Sequence, residues 1–532
     1  MRPVQLRSTQ RRPVSRRDFI RTSALAAAGG SIALAGCSTS SSKPSTKAPG
    51  KSSGTLTMSQ PADATTMDPQ LQGDVADMNI LINMFDCLTT RDSQNRLVPQ
   101  LATSWRAVNP TTWRFTLRKG VKFHNGEPFN ASVVKYSIER MLNPATASPI
   151  VEFKDAGVTG VNIIDEYTAD IVSNAPTPII PQQSALFDGV MVPPNYIEEK
   201  GAAYFAKNPV GTGPFKFVGW QPGVQVSMEA NPHYWAGAPA LSQLIVKPVP
   251  DSATALASLQ SGELDMVTGL VGSDVKPLVG ASGIKIVSVP GIRVYFVDID
   301  TETAGPLTDV RVRQALNYAI DVNALVQVVL SGYGQRIATL FPSNAFGYSS
   351  KVSPFPYDPA KAKQLLAEAG YPHGFSTAMS ANATNATLLQ AIAGQLANVG
   401  VNVSQKTYAV QTFTELDYVN HGSALGPTYV VNNSGWSMDG YSYLQSYIRP
   451  TSRSSRWNNA QATQLVTSEQ TSVNPATRQN AFDGLQSLMV EQAPFIFLYV
   501  SDLVLPMSTQ VNFKPNALGM QAMTNASIAS IT

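Results

Sequence analysis

The sequence predicts an α/β protein with more than one folded domain. From Thr55 onward, short apolar segments typical of strands alternate with helices whose ends are marked by capping residues. The chain has 532 residues, of which 43% are apolar, so it is too long for one ordinary domain and can build several cores. No apolar run in this region reaches the ~18 residues of a membrane span.

Capping residues predict where several helices begin and end. Asp251, Asp321 and Asp358 each stand where an N-cap is expected, and a glycine follows each helix as a left-handed stop. The predicted helices are Ser252 to Ser261, Val322 to Ser331, Ala360 to Ala369 and Ala386 to Val399. The last helix leads through Gly400 into an alternating segment, Val401 to Tyr408, which predicts a strand.

The charge of the chain is unevenly distributed. Lys and Arg number 39 and Asp and Glu 36, but the first 36 residues hold seven Arg and one acid. The remainder carries 32 basic and 35 acidic side chains, a net charge of −3. A nucleic-acid-binding protein needs a strongly basic face, so the composition argues against that class of partner.

The N-terminus resembles an export signal. Ser15 to Ile20 contains Arg16 and Arg17 and is similar to the twin-arginine (Tat) signal, which sends folded proteins across a membrane. The apolar stretch that follows is interrupted by Gly29 and Gly30 and is too short to span a bilayer core of ~30 Å. We therefore expect residues 1–36 to be a signal peptide.

A lipid anchor is predicted directly after this signal. The tetrapeptide ending at Cys37 (LAGC) resembles the bacterial lipobox, whose cysteine receives a diacylglycerol and becomes the first mature residue. Residues 37–54 are rich in Ser, Lys, Pro and Gly, and predict a flexible tether that spans on the order of 20 Å. Cys87, the only other cysteine, then has no disulfide partner and is expected to be a small core side chain.

Motifs of metal, cofactor and catalytic sites are missing or incomplete. The four histidines are far apart, and no dinucleotide loop, phosphate-binding loop or nucleophile elbow is present, so we expect no metal and no cofactor. Ser132 and Lys135 match the Ser-x-x-Lys of penicillin-recognising enzymes. Asn130 nevertheless favours an ordinary helix start there, so a hydrolase is the remote alternative.

Several segments together resemble one family of binding proteins, the family 5 extracellular solute-binding proteins that serve ABC importers of peptides and nickel. The five main matches are 210–235 (VGTGPF to NPHYW), 255–265 (ending LQSGELD), 310–334 (beginning VRVRQALNYAID), 357–370 (beginning YDPAKA) and 435–441 (GWSMDGY). Weaker matches at 67–69 and 119–124 extend the resemblance over nearly the whole mature chain.

This resemblance implies a two-lobed periplasmic-binding-protein clamp (type II, cluster C) with an extra subdomain inserted in lobe I. Lobe I would comprise residues 55–100, 209–290 and 501–532, the subdomain 101–208, and lobe II 291–500. The chain would cross between the lobes twice, at Arg293 to Asp300 and at Phe495 to Val500. Two crossings permit hinge closure.

The resemblance also implies a set of ligand-binding residues. In the family, the aspartate of the Gly-Trp-x-x-Asp stretch binds the ligand amine, and Asp439 is the matching residue. We expect it to be buried without a cation, so that Asp439→Ala weakens binding of free-amine peptides with little effect on melting of the empty protein. The alternative is that Asp439 and Gly440 form a turn in which the aspartate bonds to its own backbone. The other candidate ligand-binding residues are Gly435, Trp436, Met438, Tyr441, Tyr295, Gln72 and Asp74.

Two features of the sequence leave the site open. Gly440 stands where the family has tyrosine, and no Arg or Lys could be assigned to a ligand carboxylate. Arg449, Arg453 and Arg456 were available, with a solvated loop as their default.

The implied function is that of a non-enzymatic, lipid-anchored receptor at the outer face of the cytoplasmic membrane. It would be a monomer that captures di- to oligopeptides and delivers them to the permease subunits of an ABC transporter. Haem, a nickel chelate, an opine or a glycoside are the alternative ligands for the same fold.

Overall fold

The computed structural model of the protein describes residues 54–303, 305–448, 452, 454–520 and 522–528. The predicted signal peptide with Arg16 and Arg17, and the predicted lipidation site Cys37, lie outside these residues, as do Arg449 and Arg453. No helix in the described part of the chain has the length and apolar character needed to cross a bilayer.

Strands and helices alternate along the described residues. The strands are β1 Thr55–Gln60, β2 Thr89–Arg91, β3 Leu97–Pro99, β4 Ala102–Asn109, β5 Thr112–Leu117, β6 Val158–Asp165, β7 Thr168–Ser173, β8 Phe215–Gln221, β9 Gln225–Ala230, β10 Gln243–Pro248, β11 Met266–Val267, β12 Ile284–Ile299, β13 Gly334–Arg336, β14 Phe375–Asn382, β15 Val401–Tyr408, β16 Thr428–Ser434, β17 Phe495–Ser508, β18 Val511–Asn512 and β19 Ser527–Ile528. The α-helices are α1 Val75–Leu81, α2 Ala131–Leu142, α3 Glu152–Asp155, α4 Ile180–Gln183, α5 Pro194–Lys200, α6 Ala202–Phe205, α7 Ser252–Ser261, α8 Val310–Tyr318, α9 Val322–Leu330, α10 Pro359–Glu368, α11 Ala386–Ala397, α12 Val410–Asp417, α13 Gly440–Leu444, α14 Ala460–Thr471 and α15 Pro475–Gln492.

One large mixed sheet runs through the described chain. Its strand order is β15-β14-β16-β12-β17-β11-β1-β10-β9-β8, with β13 paired to β17. We call the half around β1 and β8 to β11 lobe I and the half around β14 to β16 lobe II. The long central strands β12 and β17 belong to both halves, and this arrangement is a two-lobed clamp.

The hinge strands cross where the sequence predicted, but both are longer than expected. The lobe II end of β12 pairs with the start of β17, and after a register shift between Pro290 and Val294 the pairing continues along residues 284–290 and 502–508. The second crossing was predicted to end at Val500, yet the partner strand keeps β17 extended through the polar Ser501 and Asp502 to Ser508. A β-bulge of this kind bends a strand pair without ending it.

Each part of the body has its own apolar core. Lobe I packs side chains from β1, α1, β9 and β10 into one cluster. Lobe II has one cluster built around α8, α9 and α11 and a second around α15 and the start of β17. The sheet β4-β5-β7-β6 packs with α2 into a further cluster, in the region predicted as the inserted subdomain. The exact domain boundaries stay a prediction.

The capping residues predicted the bounds of the helices closely. Helix α7 has Asp251 as its N-cap and Gly262 as a left-handed C-cap, as predicted. Helix α9 ends one residue earlier than predicted, because Ser331 itself takes the left-handed conformation with φ 53°. Strand β15 has the predicted bounds Val401–Tyr408.

Candidate functional site

A cavity of about 500 Å³ lies along the hinge strands. Its walls come from β12 and β17, from the start of α1 in lobe I, and from the loop after β16 in lobe II. Three of the predicted site residues line it, namely Tyr295, Trp436 and Asp74. Ligands of two-lobed proteins bind where both lobes contribute a wall, so this cavity is the main candidate site.

A second cavity, of about 240 Å³, adjoins the first. Asp74, Val75 and Trp436 line both cavities. The second cavity extends towards the subdomain, where α3 and the segment 186–188 form its far wall, and it includes the predicted residue Gln72. The cleft therefore has two compartments, which we call the larger and the smaller cavity, with the half-buried Trp436 as a common wall.

The loop that carries Trp436 is closely packed. It begins at Gly435, where a Cβ atom would lie 2.1 Å from Tyr443 Cζ, so only glycine fits. Met438 is 1% exposed, takes φ 54°, and packs into the core cluster of lobe I although the loop leaves a strand of lobe II. Met438 and Gly435 thus shape the loop, and neither is among the described lining residues of the larger or the smaller cavity.

Gly440 departs from the family pattern for a steric reason. A Cβ atom at this position would lie 2.5 Å from Phe341 Cε1 and 2.7 Å from Phe482 Cε1. The tyrosine of the family cannot occupy this place while both rings stay where they are. Tyr441, one position later, is 8% exposed and its backbone N–H donates to Asp439 Oδ1 at 3.0 Å, so the residue contributes to a helix start instead of a cavity wall.

Asp439 lies fully buried below the loop and is paired within the chain. Its two carboxylate oxygens accept hydrogen bonds from Arg478, Nη1 to Oδ2 at 2.9 Å and Nη2 to Oδ1 at 2.6 Å. Arg478 Nη2 also donates to Glu469 Oε2 at 3.1 Å. The expectation that Asp439 lacks a cation is therefore wrong, because α15 supplies one. Its role towards a ligand amine stays a prediction.

The charge of Arg478 is stabilised by this arrangement. Burial lowers the pKa of its guanidinium, but Asp439 and Glu469 outweigh that effect, so the net shift is upward. Phe346 and Phe482 lie against the guanidinium, with ring centroids 5.1 and 5.3 Å from its Cζ. The group is a buried, charged cluster that holds α13 and α15 together.

Side chains from the other half of the protein reach the same loop. Arg91, at the end of β2, donates through Nη2 to the backbone carbonyl of Ser437. Burial lowers the pKa of Arg91 to about 10, while the charge of Asp439 opposes this shift. Gln182 of α4 approaches Asp439 Oδ2 at 3.4 Å through its Nε2. These contacts join the subdomain and lobe I to the loop of lobe II.

Tyr295 occupies the middle of the hinge. It is half-buried on β12, lines the larger cavity, and packs against Tyr499 of the neighbouring strand with ring centroids 5.0 Å apart. A tyrosine here presents an apolar ring and a hydroxyl to the cavity, as ligand-binding surfaces often require.

Sequence reasoning missed the basic residue of the cleft. Arg293, on β12, is exposed and lines the larger cavity, and no other Arg or Lys among the described residues lines either cavity. It was counted as the first residue of a hinge strand. Arg456, one of the three arginines considered instead, is 5% exposed and pairs with Asp298 at 2.7 Å, so the expectation of a solvated loop is wrong for it.

Sequence reasoning also missed acids in the smaller cavity. Glu152 is half-buried and Asp188 is 1% exposed, and both line this cavity with Asp74. Burial raises the pKa of Asp188 well above its ordinary value, and the charge of Glu152 raises it further. No motif surrounds Asp188, so only the fold could bring it to the cleft.

The Ser-x-x-Lys motif forms ordinary structural contacts, and a metal site is not evident in the described residues. No group of three or more metal-binding side chains occurs among the described residues. Ser132 donates its hydroxyl hydrogen bond to Asn130 at 2.6 Å, in the first turn of α2. Lys135 forms an ion pair with Glu139 and donates to the carbonyl of Val161 at 3.1 Å. Both groups of the Ser-x-x-Lys motif therefore have other partners.

The two-lobed fold, the hinge of two strands and a cleft walled by both lobes define a solute-binding clamp. The family model described as "Bacterial extracellular solute-binding proteins, family 5 Middle" matches residues 96–459. The chain belongs to this family, and it is a substrate-binding protein of the kind that works with family 5 ABC importers.

Known proteins support this assignment. The "Glutathione-binding protein GsiB" of Pectobacterium atrosepticum is 30% identical over 459 residues, which cover 83% of this chain and 87% of the relative. The "Heme-binding protein A" of Haemophilus influenzae is 28% identical over 467 residues, covering 81% and 84%. The structure of DppA from Helicobacter pylori in complex with peptide STSA superposes with a TM-score of 0.72 at 24% identity, covering 90% of this chain and 98% of that one.

Proposed function

We propose that the protein captures peptides, from dipeptides to short oligopeptides, in the cleft formed by the larger and smaller cavities and delivers them to an ABC permease. The observation that carries this proposal is the distribution of charge around Trp436. Arg293 is the one basic residue among the described lining residues of the two cavities and lies in the larger one, which Asp74 and Asp502 also line. The smaller cavity is lined by Asp74, Glu152 and Asp188 without a described basic residue. A peptide has a cationic and an anionic end separated by neutral backbone, which suits such a cleft.

The walls between the charged ends are suited to a neutral, partly apolar ligand. The aromatic rings of Trp436 and Tyr295 face the larger cavity, and its other apolar walls include Ile292 and Leu503. Aromatic side chains give a large contact area and tolerate many ligand side chains. A ligand that prefers the closed form by about 5.5 kcal/mol would move the lobes from 1:99 to 99:1 in favour of closure.

Isothermal titration calorimetry with the tetrapeptide Ser-Thr-Ser-Ala tests the proposal. We expect binding to the purified protein, weaker binding of the C-amidated peptide, and no difference between the free and amidated forms in Arg293→Gln. Arg106→Gln is the matched control, since Arg106 is exposed on β4, away from the cleft-lining residues. If neither this peptide, the dipeptide Met-Leu nor glutathione binds, the proposal is refuted.

One competing ligand deserves a direct comparison. The larger cavity is lined mostly by apolar and small side chains, and a relative named as a haem-binding protein covers most of the chain. Haem added to the purified protein is expected to leave the Soret band of free haem unchanged. A shifted band, together with loss of peptide binding, would favour haem as the cargo.

We further propose that the protein is exported by the twin-arginine route and anchored through lipid on Cys37 as a monomer. The support is the sequence alone, from Arg16 and Arg17 to the LAGC tetrapeptide. Cells grown with a labelled fatty acid are expected to yield labelled wild-type protein in the membrane fraction. Cys37→Ala should be unlabelled and released, while labelled C37A would contradict the lipid assignment.

A further inference from the structure

We propose that the smaller cavity is a cation subsite, in which an ammonium or guanidinium group of the ligand lies between Glu152, Asp188 and Gln72. This inference rests on the proposed peptide-binding function and deepens it, because it gives the cationic end of the ligand a position other than Asp439. It is carried by the acids of the cavity and, independently, by one buried amide.

The acids create a negative potential in the smaller cavity. Asp74, Glu152 and Asp188 line a cavity of about 240 Å³, and none of its described lining residues is Arg, Lys or His. Asp188 accepts a hydrogen bond from the backbone N–H of Phe153 at 2.8 Å. By contrast, the carboxylate of Asp439 already has Arg478 as its partner. A ligand cation is therefore stabilised more by the acids of the smaller cavity than by Asp439.

Gln72 provides the second observation. Its side chain is 2% exposed and lines the cavity, and its Oε1 atom has no hydrogen-bond donor among the described residues. Buried amide oxygens are nearly always hydrogen-bonded, because an unpaired one retains the full cost of desolvation. An N–H group of a ligand cation would supply the missing donor.

The remaining walls favour an alkyl chain that ends in a cation. Met78, Ile150, Leu186 and Phe187 are apolar, and the ring of Trp436 forms the wall shared with the larger cavity. Low polarity strengthens the attraction between a cation and the carboxylates, and an aromatic face adds a cation–π contribution. A lysine, arginine or free N-terminus can present such a group from the larger cavity.

Occupation of this subsite is linked to a proton. Burial, and then the charge of Glu152, raise the pKa of Asp188, with a smaller contribution from Asp155 of the same helix α3. Asp74 lines the same cavity, and the Cys87 thiol, whose own pKa is raised by burial and by the charges of Asp86 and Asp188, lies close by. An entering cation lowers the raised pKa of Asp188, so in the pH range between the two pKa values the carboxyl O–H bond breaks on binding and the proton leaves to solvent.

Calorimetry with agmatine tests the subsite separately from the peptide proposal. Agmatine carries an amine and a guanidinium but no carboxylate. We expect it to bind, and we expect Glu152→Gln and Asp188→Asn each to weaken binding by about tenfold or more. Asp155→Asn, which removes the same charge from an exposed position on α3, is the control and should bind within about twofold of wild type.

Proton release separates the subsite from a general charge effect. Titrations in two buffers with different ionisation enthalpies, repeated across the acidic to neutral range, should report a proton release for the wild type that moves to lower pH in Glu152→Gln and is missing in Asp188→Asn. Asparagine keeps the acceptor for the Phe153 N–H, so this variant is expected to fold. Failure of agmatine to bind, equal weakening by Asp155→Asn, or unchanged binding in both cavity variants would each overturn the inference. Agmatine binding without peptide binding would refute the peptide proposal alone.

Discussion

Replacement of Asp439 by alanine removes one partner of a buried ion pair. Arg478 would keep Glu469 as an anion, but it would lose two hydrogen bonds of 2.9 and 2.6 Å in a site with 2% exposure. Removing one partner of a buried pair typically costs about 3–5 kcal/mol. The N-cap interaction with the Tyr441 N–H is lost as well, which costs ~1 kcal/mol. Because Glu469 still pairs with Arg478, we expect Asp439→Ala to lower the free energy of unfolding by about 3 kcal/mol in total.

The expected change in melting temperature follows from the size of the protein. The entropy of unfolding is about 2.1 cal/mol/K per residue. A body of about 480 residues that unfolds as one unit therefore has an unfolding entropy of ~1 kcal/mol/K. A loss of 3 kcal/mol then lowers the melting temperature of the empty protein by about 3 °C. Differential scanning calorimetry of Asp439→Ala, Arg478→Ala and the double variant measures both the cost and the coupling between the two residues.

An exposed ion pair provides the control. Arg96 pairs with Asp92 near β2 through a side chain that is 71% exposed, and Arg96→Ala should leave the melting temperature unchanged within error. If Asp439→Ala melts like wild type and only peptide affinity falls, the reasoning from the buried pair is refuted, and the original prediction of a ligand-binding carboxylate is supported.

Three further changes test other parts of the site. The free energy of unfolding should fall as the pH rises through the raised pKa of Asp188, because only the folded state holds that proton. Urea titrations at several pH values measure this dependence, which should be smaller in Asp188→Asn. Gly440→Ala should lower the melting temperature, because its Cβ would contact Phe341 at 2.5 Å. Arg91→Met should shift the free protein towards an open form, measured as a larger radius of gyration by small-angle scattering, because the contact with Ser437 is lost; an unchanged radius would contradict this.

Local signals in the sequence were sufficient for the helices and for the course of the hinge. An aspartate before a helix and a glycine after it act within a few residues, so α7 has the predicted bounds. The ends of β12 and β17 depend instead on pairing between segments about 200 residues apart. Ser501 and Asp502 are polar, and pairing with the partner strand keeps this segment extended.

Some residues of the candidate site were predicted from the sequence, and others were not. Trp436 and Tyr295 were predicted from the family resemblance, and both line the larger cavity. The acids of the smaller cavity were not predicted, because Glu152 and Asp188 lie in segments without a motif and meet only through the packing of α3. The cation beside Asp439 was missed for a similar reason, since Arg478 comes from a helix 39 residues away.

The loop after β16 couples the opening and closing of the lobes to the shape of the cleft. It leaves a strand of lobe II, yet Ser437 accepts a hydrogen bond from Arg91 and Met438 packs into the core of lobe I. Separation of the lobes must therefore break these contacts or move the loop, and either change displaces Trp436 from the wall that the two cavities share. A ligand that contacts Trp436 from both sides makes those contacts only when the loop is seated. Its binding energy thus favours closure, as a receptor that must signal occupancy to a permease requires.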